Sequence, residues 1–456
     1  MSMMTIACSG AQAAKIRMNT TAMNLANLKT AGYSRQHADQ SAVGPVDSAH
    51  LSPGGGVQVE RIRRISSQYL TGQVRSSISK SEYYKSGQTF LTPMESLLGN
   101  SNSGLAEGID KFFATLHGAT TQPDNNAVRQ AVINEAQAMA TRFNSVNDFI
   151  KNQHVAIRSQ RENTVLTVNA LSKDIASYNS KIADLEATGS NSNTMRDQRD
   201  ELVKKLSGYM DVKVLEDSRG NYKVSLSNGE TLVSGSSTGR LSVSTLPNGS
   251  QEIGLAFAQS KSSIGLSCGG KLGAINDYEN TTLKTMQSAV SDMAENMARE
   301  MNQQLAKGFD LQGHAGKPLF VFNAKGSDDL LQITQIKTSE LALSDKKGAT
   351  GNDGNLLALI ALKNKKYSLS GATPASLGEN CASMVSAIGI TSRQNQSEST
   401  AADDILQQAE SQRDGLSGVN MDEEAINLQD CQQEYQANMK VIATGNRIFS
   451  DLLALF

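Results

Sequence analysis

The architecture of the chain is set by residues 421–456, which read MDEEAINLQDCQQEYQANMKVIATGNRIFSDLLALF. Asp422, Glu423 and Glu424 open it, which places negative charge at the positive end of a helix dipole. A spacing of three and four residues, sustained over more than four heptads, is typical of an amphipathic helix with a narrow coiled-coil seam. The seam positions after Ala425 are Leu428, Gln432, Tyr435, Met439, Ile442, Asn446, Phe449, Leu453 and Phe456.

A weaker seam with the same spacing lies near the N-terminus. Its side chains are small, so this helix would be marginal alone in water. We expect it to end at Gly32, because glycine is a usual C-terminal cap. Two seams at opposite chain ends favour pairing of the two helices, either within one subunit or against copies in an assembly. The N-terminal seam comprises Ile6, Ser9, Ala13, Ile16, Thr20, Met23 and Asn27.

Between the ends, the hydrophobic period changes twice. Residues 126–186 keep the helical rhythm, weakened between 153 and 164, and predict a rod-like bundle. From about residue 209 the chain predicts short strands at 212–215, 222–226, 231–233 and 241–243, with Asn228-Gly229 as a hairpin turn and 247–249 as another turn. Helical pattern returns at 272–307 and 374–414, so we expect a β-rich insertion between helical segments.

Composition excludes several classes of protein. The 456 residues carry 43 basic and 45 acidic side chains, a balance that argues against a nucleic-acid binder. No apolar run approaches the length of a membrane span, which predicts no membrane insertion. Four scattered cysteines do not form a disulfide scaffold. The first cation is Lys15, which predicts no cleaved secretory signal.

The sequence offers no recognisable catalytic, metal or cofactor site. Its five histidines form no zinc-hydrolase pair, and Gly313 to Lys317 has the wrong spacing for a phosphate loop. Gly269-Gly270 predicts a turn rather than a dinucleotide loop. Arg61, Arg63 and Arg64 form a short basic cluster, which is either a solvated face or a contact to an acidic partner surface.

Three segments resemble one protein family. NLANLKTAGYSRQ (24–36) resembles the NNIANANTPGYSRQ signature of bacterial flagellar rod, hook and hook-associated axial proteins. MRDQRDEL (195–202) and SGVNMDEE (417–424) resemble the LLDQRDQL and SGVNLDEE stretches of the FlgK type, hook-associated protein 1. The resemblance implies that the axial motif comprises Asn24, Asn27, Gly32, Tyr33, Ser34, Arg35 and Gln36.

The resemblance also implies a fold class that is mainly α with an inserted β-rich domain. Residues 1–36 with 421–456 would form a terminal coiled-coil domain, the inner core. Residues 37–208 with 271–308 and 346–420 would form a long-helix bundle domain. Residues 209–270 with 309–345 would form the outer β-rich domain.

The implied function is structural, at the junction between flagellar hook and filament, with no enzyme activity and no cofactor. The implied partners are copies of the chain in a ring, the hook protein, a second hook-associated protein on the filament side, and the flagellar type III export apparatus. A FlgN-type export chaperone would bind Leu428, Tyr435, Ile442 and Phe449. The location would be extracellular, in the flagellum, after export without a cleaved signal.

On this resemblance the terminal seams face other subunits. The expected assembly seam comprises Ile6, Ala13, Ile16, Met23, Leu428, Tyr435, Met439, Ile442, Phe449, Leu453 and Phe456. One alternative is another flagellar axial protein, such as a filament-side junction, hook or distal-rod protein. Another is an enzyme domain carried on an axial scaffold.

Overall fold

The structure, a computed structural model, describes residues 3–44, 54–99, 104–246, 250–265, 268–323, 329–368 and 373–454. Its helices are α1 (Met3–Ala26), α2 (Gln68–Leu98), α3 (Leu105–Gly118), α4 (Asn126–Ala187), α5 (Asn193–Tyr209), α6 (Gly270–Asp277), α7 (Lys284–Leu305), α8 (Gly354–Ala361), α9 (Leu377–Ser417) and α10 (Met421–Leu453). Its strands are β1 (Gln36–Val43), β2 (Gly56–Arg64), β3 (Val212–Glu216), β4 (Tyr222–Leu226), β5 (Thr231–Ser234), β6 (Ser237–Thr238), β7 (Arg240–Thr245), β8 (Gln251–Phe257), β9 (Ser260–Ser263), β10 (Phe320–Phe322) and β11 (Leu331–Ile333). The predicted fold class, mainly helical with a β-rich insertion, is confirmed.

The terminal helices α1 and α10 pack antiparallel along their lengths. Arg17 Nη1 lies 2.7 Å from Glu434 Oε2, and Met4 lies against Gly445 near the far end of the pair. A Cβ atom on Gly445 would come within 2.7 Å of Met4 Cγ, so the helices approach each other closely there. Small side chains permit this approach, and the buried ones are Ala7, Ala11, Ala13, Ala14, Cys431 and Gly445.

A hairpin of β1 and β2 runs beside α1. Polar β1 has little strand signal of its own, and contacts to α1 at both ends of the hairpin hold it in place. Ser9 Oγ accepts a hydrogen bond from Val57 N at 3.1 Å. Asn24 Oδ1 accepts one from Gln36 N at 2.9 Å at the opposite end.

The helical body and the β sheets have separate hydrophobic cores, and α4 passes through both. The larger core includes Phe143 and Ile157 of α4 together with α2, α3, α7 and α9. The smaller core includes Val165 and Ile175 of α4, α5, and the two antiparallel sheets β3-β4-β5-β6 and β7-β8-β9. The strands predicted at 212–215, 222–226, 231–233 and 241–243 are observed, whereas the predicted turn at 247–249 lies outside the described residues.

A polar layer separates the two cores. Arg161 of α4 is 1% exposed, and its Nε donates to Asn276 Oδ1 at 3.0 Å. Its guanidinium also pairs with Glu279, which lies in a π-helical turn, Tyr278–Leu283, between α6 and α7. The weak apolar pattern between 153 and 164 corresponds to this layer.

Residues 309–345 were grouped with the β-rich domain in the sequence prediction, but their apolar side chains pack in the larger, helical core. Phe320 of β10 is 2% exposed and contacts the Phe112 ring of α3 at a centroid distance of 6.0 Å. Asn144 of α4 donates to the Leu331 carbonyl at 2.9 Å, which fixes β11 on the same helix. Leu341 and Leu343 extend this packing.

Candidate assembly site

The N-terminal motif is organised around Asn24, which is 1% exposed. Its Nδ2 donates to Gln36 O at 2.9 Å and to Glu424 Oε2 at 3.1 Å. Its Oδ1 accepts from Gln36 N at 2.9 Å and from the Tyr33 hydroxyl at 2.8 Å. One side chain therefore ties the end of α1 to the first residue of β1 and to the first turn of α10.

The turn between α1 and β1 uses the other motif residues. The helix ends at Ala26, earlier than Gly32, and Asn27 Nδ2 donates back to Met23 O at 2.9 Å. Gly32 has φ of +77°, a left-handed conformation that favours glycine. Burial, with the negative charges of Asp197 and Glu424, raises the pKa of Tyr33 to about 12, so its hydroxyl stays a neutral donor.

Arg35 joins the turn to the start of α10. Its Nε lies 2.7 Å from Glu424 Oε1 and its Nη1 lies 2.8 Å from Glu423 Oε2, while its backbone N donates to Ser417 O at 2.9 Å. Glu424 is 1% exposed, so its charge is well paired with Arg35 and Asn24. The side chain of Asn420 caps α10 by accepting from Asp422 N at 2.9 Å.

The second motif meets the first through Asp197. Its Oδ2 accepts from Ser34 N at 3.2 Å, and its Oδ1 lies 2.7 Å from Arg64 Nη1. Burial raises the pKa of Asp197 in spite of Arg64. Asn193 contributes a further link, donating to Gln36 Oε1 at 3.2 Å and to the Ile62 carbonyl at 2.9 Å.

Asp200 joins the motif to α2 and to the β sheets. It lies 3.0 Å from both Arg64 Nη1 and Arg75 Nη2, and it accepts a 2.6 Å bond from the Tyr222 hydroxyl. Burial opposes ionisation here, but the two arginines and Tyr222 lower the pKa of Asp200. The Arg199 guanidinium stacks 3.4 Å from the centroid of the Tyr222 ring, a close cation–π contact.

The structure thus brings three segments together that are far apart in sequence. We call the set Asn24, Tyr33, Arg35, Gln36, Arg64, Arg75, Asn193, Asp197, Asp200, Tyr222 and Glu424 the motif junction. Sequence reasoning found its motif members but missed Arg75, Asn193 and Tyr222. Arg64 belonged to the predicted basic cluster, and its acidic partner is inside the same chain.

The predicted seam residues differ in exposure in the single chain. Ala13 is buried, whereas Ile6, Ile16, Leu428, Tyr435 and Ile442 are half-buried. Met23, Met439, Phe449 and Leu453 are 50, 43, 61 and 59% exposed, respectively. Phe456 lies outside the described residues. The seam as a surface between subunits stays a prediction.

Membrane-spanning helices and metal-binding clusters are both absent from the described residues. Within those residues, no helix combines the length and the apolar character needed to cross a bilayer. Within the same ranges, no group of three or more His, Cys, Asp or Glu side chains is arranged to hold a metal ion.

Comparison with known proteins gives consistent matches along the chain. Residues 91–320 match the family model described as the flagellar hook-associated protein FlgK helical domain. Residues 4–33 match a flagella basal body rod protein model, and residues 415–455 match the C-terminal model of basal body rod FlgEFG proteins.

Individual proteins match over nearly their full length. Flagellar hook-associated protein 1 of Escherichia coli (strain K12) is 24% identical, with 99% of each chain covered. The protein of that name in Bacillus subtilis (strain 168) is 26% identical, covering 98% of this chain and 96% of its own. The solved flagellar hook junction protein FlgK from Burkholderia pseudomallei superposes with a TM-score of 0.67 at 17% identity, over 74% of this chain and 98% of its own, a likeness of fold.

Proposed function

The chain belongs to the FlgK family of flagellar hook-associated proteins, and from this membership we propose that it is a structural subunit of the junction between hook and filament. It works by rigid connection, not by turnover of a substrate. The motif junction is the observation that supports this role most directly. It binds the paired terminal helices, the hairpin, the helical body and the β sheets to one another through charge-assisted hydrogen bonds, which are stronger than neutral ones.

A subunit that connects two tubular assemblies needs a defined angle between its own domains. Asn24 and Glu424 hold α1 and α10 together at their common end. Asp197 and Asp200 of α5 bind the adjoining turn and hairpin through Ser34 N and Arg64. Buried polar contacts require correct geometry, because an unpaired buried charge is costly. We infer that the motif junction sets the orientation of a terminal coiled-coil domain relative to a long-helix bundle domain.

The terminal pair supplies the surface for neighbouring subunits. Its outward side carries exposed Met439, Phe449 and Leu453, and large apolar groups clustered on a surface mark an interaction site. Copies of the chain would cover this side in a ring. The hook protein would lie on one side of that ring and a second hook-associated protein on the other.

The same surface needs protection before assembly. A FlgN-type chaperone would cover α10 around Leu428, Tyr435, Ile442 and Phe449 until the chain is handed to the flagellar type III export apparatus. The final location would be extracellular, within the flagellum.

Deletion of the gene in its own host tests the position in the flagellum. We expect bare hooks by electron microscopy and flagellin shed into the medium. Normal filaments after deletion would contradict a role at the junction. Loss of hooks as well would favour the second candidate, a hook or rod protein, whose terminal helices match the same models.

Complementation with single variants then tests the exposed side of α10. Ile442→Asp and Phe449→Asp should abolish filament assembly while leaving the smaller core folded, because each places a charge in a surface that must be buried. Gln436→Asp adds the same charge at an exposed polar position of the same helix and should retain filaments. Filaments formed by the Phe449→Asp chain would contradict the assignment of this surface.

A further inference from the structure

The β1–β2 hairpin carries unbalanced positive charge on one face. Arg63 Nε lies 2.8 Å from Asp39 Oδ1, and Arg61 Nε lies 3.2 Å from Asp39 Oδ2. His37 Nδ1 lies 3.2 Å from Asp39 Oδ1. We call Arg61 and Arg63 the cationic face; their side chains are 72 and 50% exposed and share the Asp39 carboxylate.

Strand register places these residues on the outer side of the hairpin. His37 pairs with Arg63, and Asp39 pairs with Arg61, so all four side chains share one face. The alternate residues Gln36 and Ala38 are buried on the opposite face. The cationic face is therefore turned away from α1 and open to a partner.

An acidic counterpart lies on α10. Asp422 and Asp430 are exposed, and neither has an ion-pair partner among the described residues, whereas Glu423, Glu424 and Glu434 pair with arginines of the same chain. We call Asp422 and Asp430 the acidic face. The first fourteen residues of α10 thus carry more negative charge than their own chain neutralises.

Asp39, which Arg61 and Arg63 share, and Asp430 of the acidic face lie at one level along the terminal pair. Asn24 contacts both Gln36 and Glu424, which sets a common starting level for the hairpin and α10. Asp39 is about 10 Å along β1 from that level, at the usual rise per strand residue. Asp430 is about 9 Å along α10 from it, at the usual rise per helical residue.

We propose that the cationic face of one copy docks on the acidic face of α10 in a neighbouring copy. This inference rests on the proposed function, in which copies pack side by side. Complementary charges at equal levels on two different surfaces define a head-to-tail contact, which closes into a ring when the rotation permits. Such a contact fixes the register between neighbours and excludes like-charged pairings.

Disulfide cross-linking between purified chains tests the contact without a flagellum. One chain carries Gln40→Cys, an exposed position beside Asp39, the other carries Gln433→Cys, an exposed position three residues after Asp430, and both carry Cys8→Ser to remove the exposed native thiol. We expect a cross-linked dimer only in the mixture, and its loss at high salt. A pair with Arg219→Cys, an exposed arginine in the β3–β4 turn, is the matched control. A yield in the mixture no higher than in this control would overturn the proposal.

Charge reversal tests the contact in cells. In a host from which the gene for this chain has been deleted, the chain with Arg61→Glu and Arg63→Glu should lose filament assembly. A chain that carries both of these changes and Asp430→Arg should restore it. Arg219→Glu makes the same kind of charge change and should have no effect. Full filament assembly by the doubly reversed chain would also overturn the proposal. Failure of the unmodified chain in this host would instead count against the junction function, and the cross-linking result would then decide the docking contact.

Discussion

Replacement of Asp200 by Asn should loosen the motif junction without changing the shape of the side chain. The carboxylate accepts from Arg64, Arg75 and the Tyr222 hydroxyl, and its side chain is 22% exposed. The amide removes the negative charge and can satisfy only part of this set. Arg64 keeps Asp197, but Arg75, 8% exposed at its side chain, loses its carboxylate partner.

Removing one partner of a buried ion pair costs about 3–5 kcal/mol, because the other charge stays buried. The partial exposure of Asp200 and the retained Asp197–Arg64 pair place the expected loss at the lower end, about 3 kcal/mol. Asp197→Asn should cost less, about 1 kcal/mol, because burial already raises the pKa of that carboxyl against its single arginine.

Native-state hydrogen exchange measures this loss locally. The backbone amide of Tyr222 donates to Asn179 Oδ1 at 3.0 Å beside the motif junction. Breaking of this hydrogen bond therefore reports the loss of local stability. A loss of 3 kcal/mol should raise its exchange rate about 100-fold. Asp174→Asn, at an exposed position of α4, is the matched control and should stay within about 0.5 kcal/mol of the parent.

The pH dependence gives a second, independent check. The pKa of Asp200 is lowered in the folded chain, so its stabilisation is complete above the ordinary carboxyl pKa of about 3.9 and is lost as the pH falls below it. The difference between the parent and Asp200→Asn should therefore shrink on acidification. An equal difference at pH 7 and in strong acid, or no difference at pH 7, would refute the electrostatic account of the junction.

Three further outcomes follow from the same structure. Asn24→Ala removes four hydrogen bonds, three of them buried, and should cost about 2–3 kcal/mol, measured as faster exchange of the Gln36 amide. No change is expected for Asn134→Ala on the exposed face of α4. Gly270→Ala should destabilise the smaller core by more than about 1 kcal/mol in urea unfolding, since φ is +56° and a Cβ would lie 2.5 Å from the Tyr209 carbonyl carbon; an unchanged midpoint would contradict this. Arg161→Met leaves the Glu279 carboxylate with only the His154 ring within ion-pair distance among the described residues and should cost about 3 kcal/mol by calorimetry. A stabilised variant would show that the polar layer opposes folding.

The long helices could be predicted from the sequence, because their periodicity is strong over many turns. The structure has one helix over Asn126–Ala187 and one over Met421–Leu453, close to the predicted limits. Short β1 had no comparable signal. Its residues, QHADQSAV, form a strand through contacts with Asn24 and β2, which no local pattern reveals.

The contact face between α1 and α10 shows a different limit of prediction from sequence. Spacing of large apolar residues identified Leu428, Tyr435 and Ile442. The buried small residues of α10 are instead Cys431 and Gly445, and Met4 of α1 lies against Gly445. Hydrophobic periodicity is insensitive to such contacts, since small residues favour close approach through shape rather than through apolar area. The convergence of the three motifs was equally hidden, because their members are separated by hundreds of residues.

That separation has a consequence for the order of folding. Asn24 and Glu424 are 400 positions apart, and closing a chain of that length costs about 5 kcal/mol in loop entropy before any contact forms. Contacts of such high order form late, after the two cores have already shortened the path between the chain ends. Whichever end of the polypeptide becomes helical first, its helix has no partner until the other end arrives. The terminal helices can therefore pair only once both ends of the same chain are present.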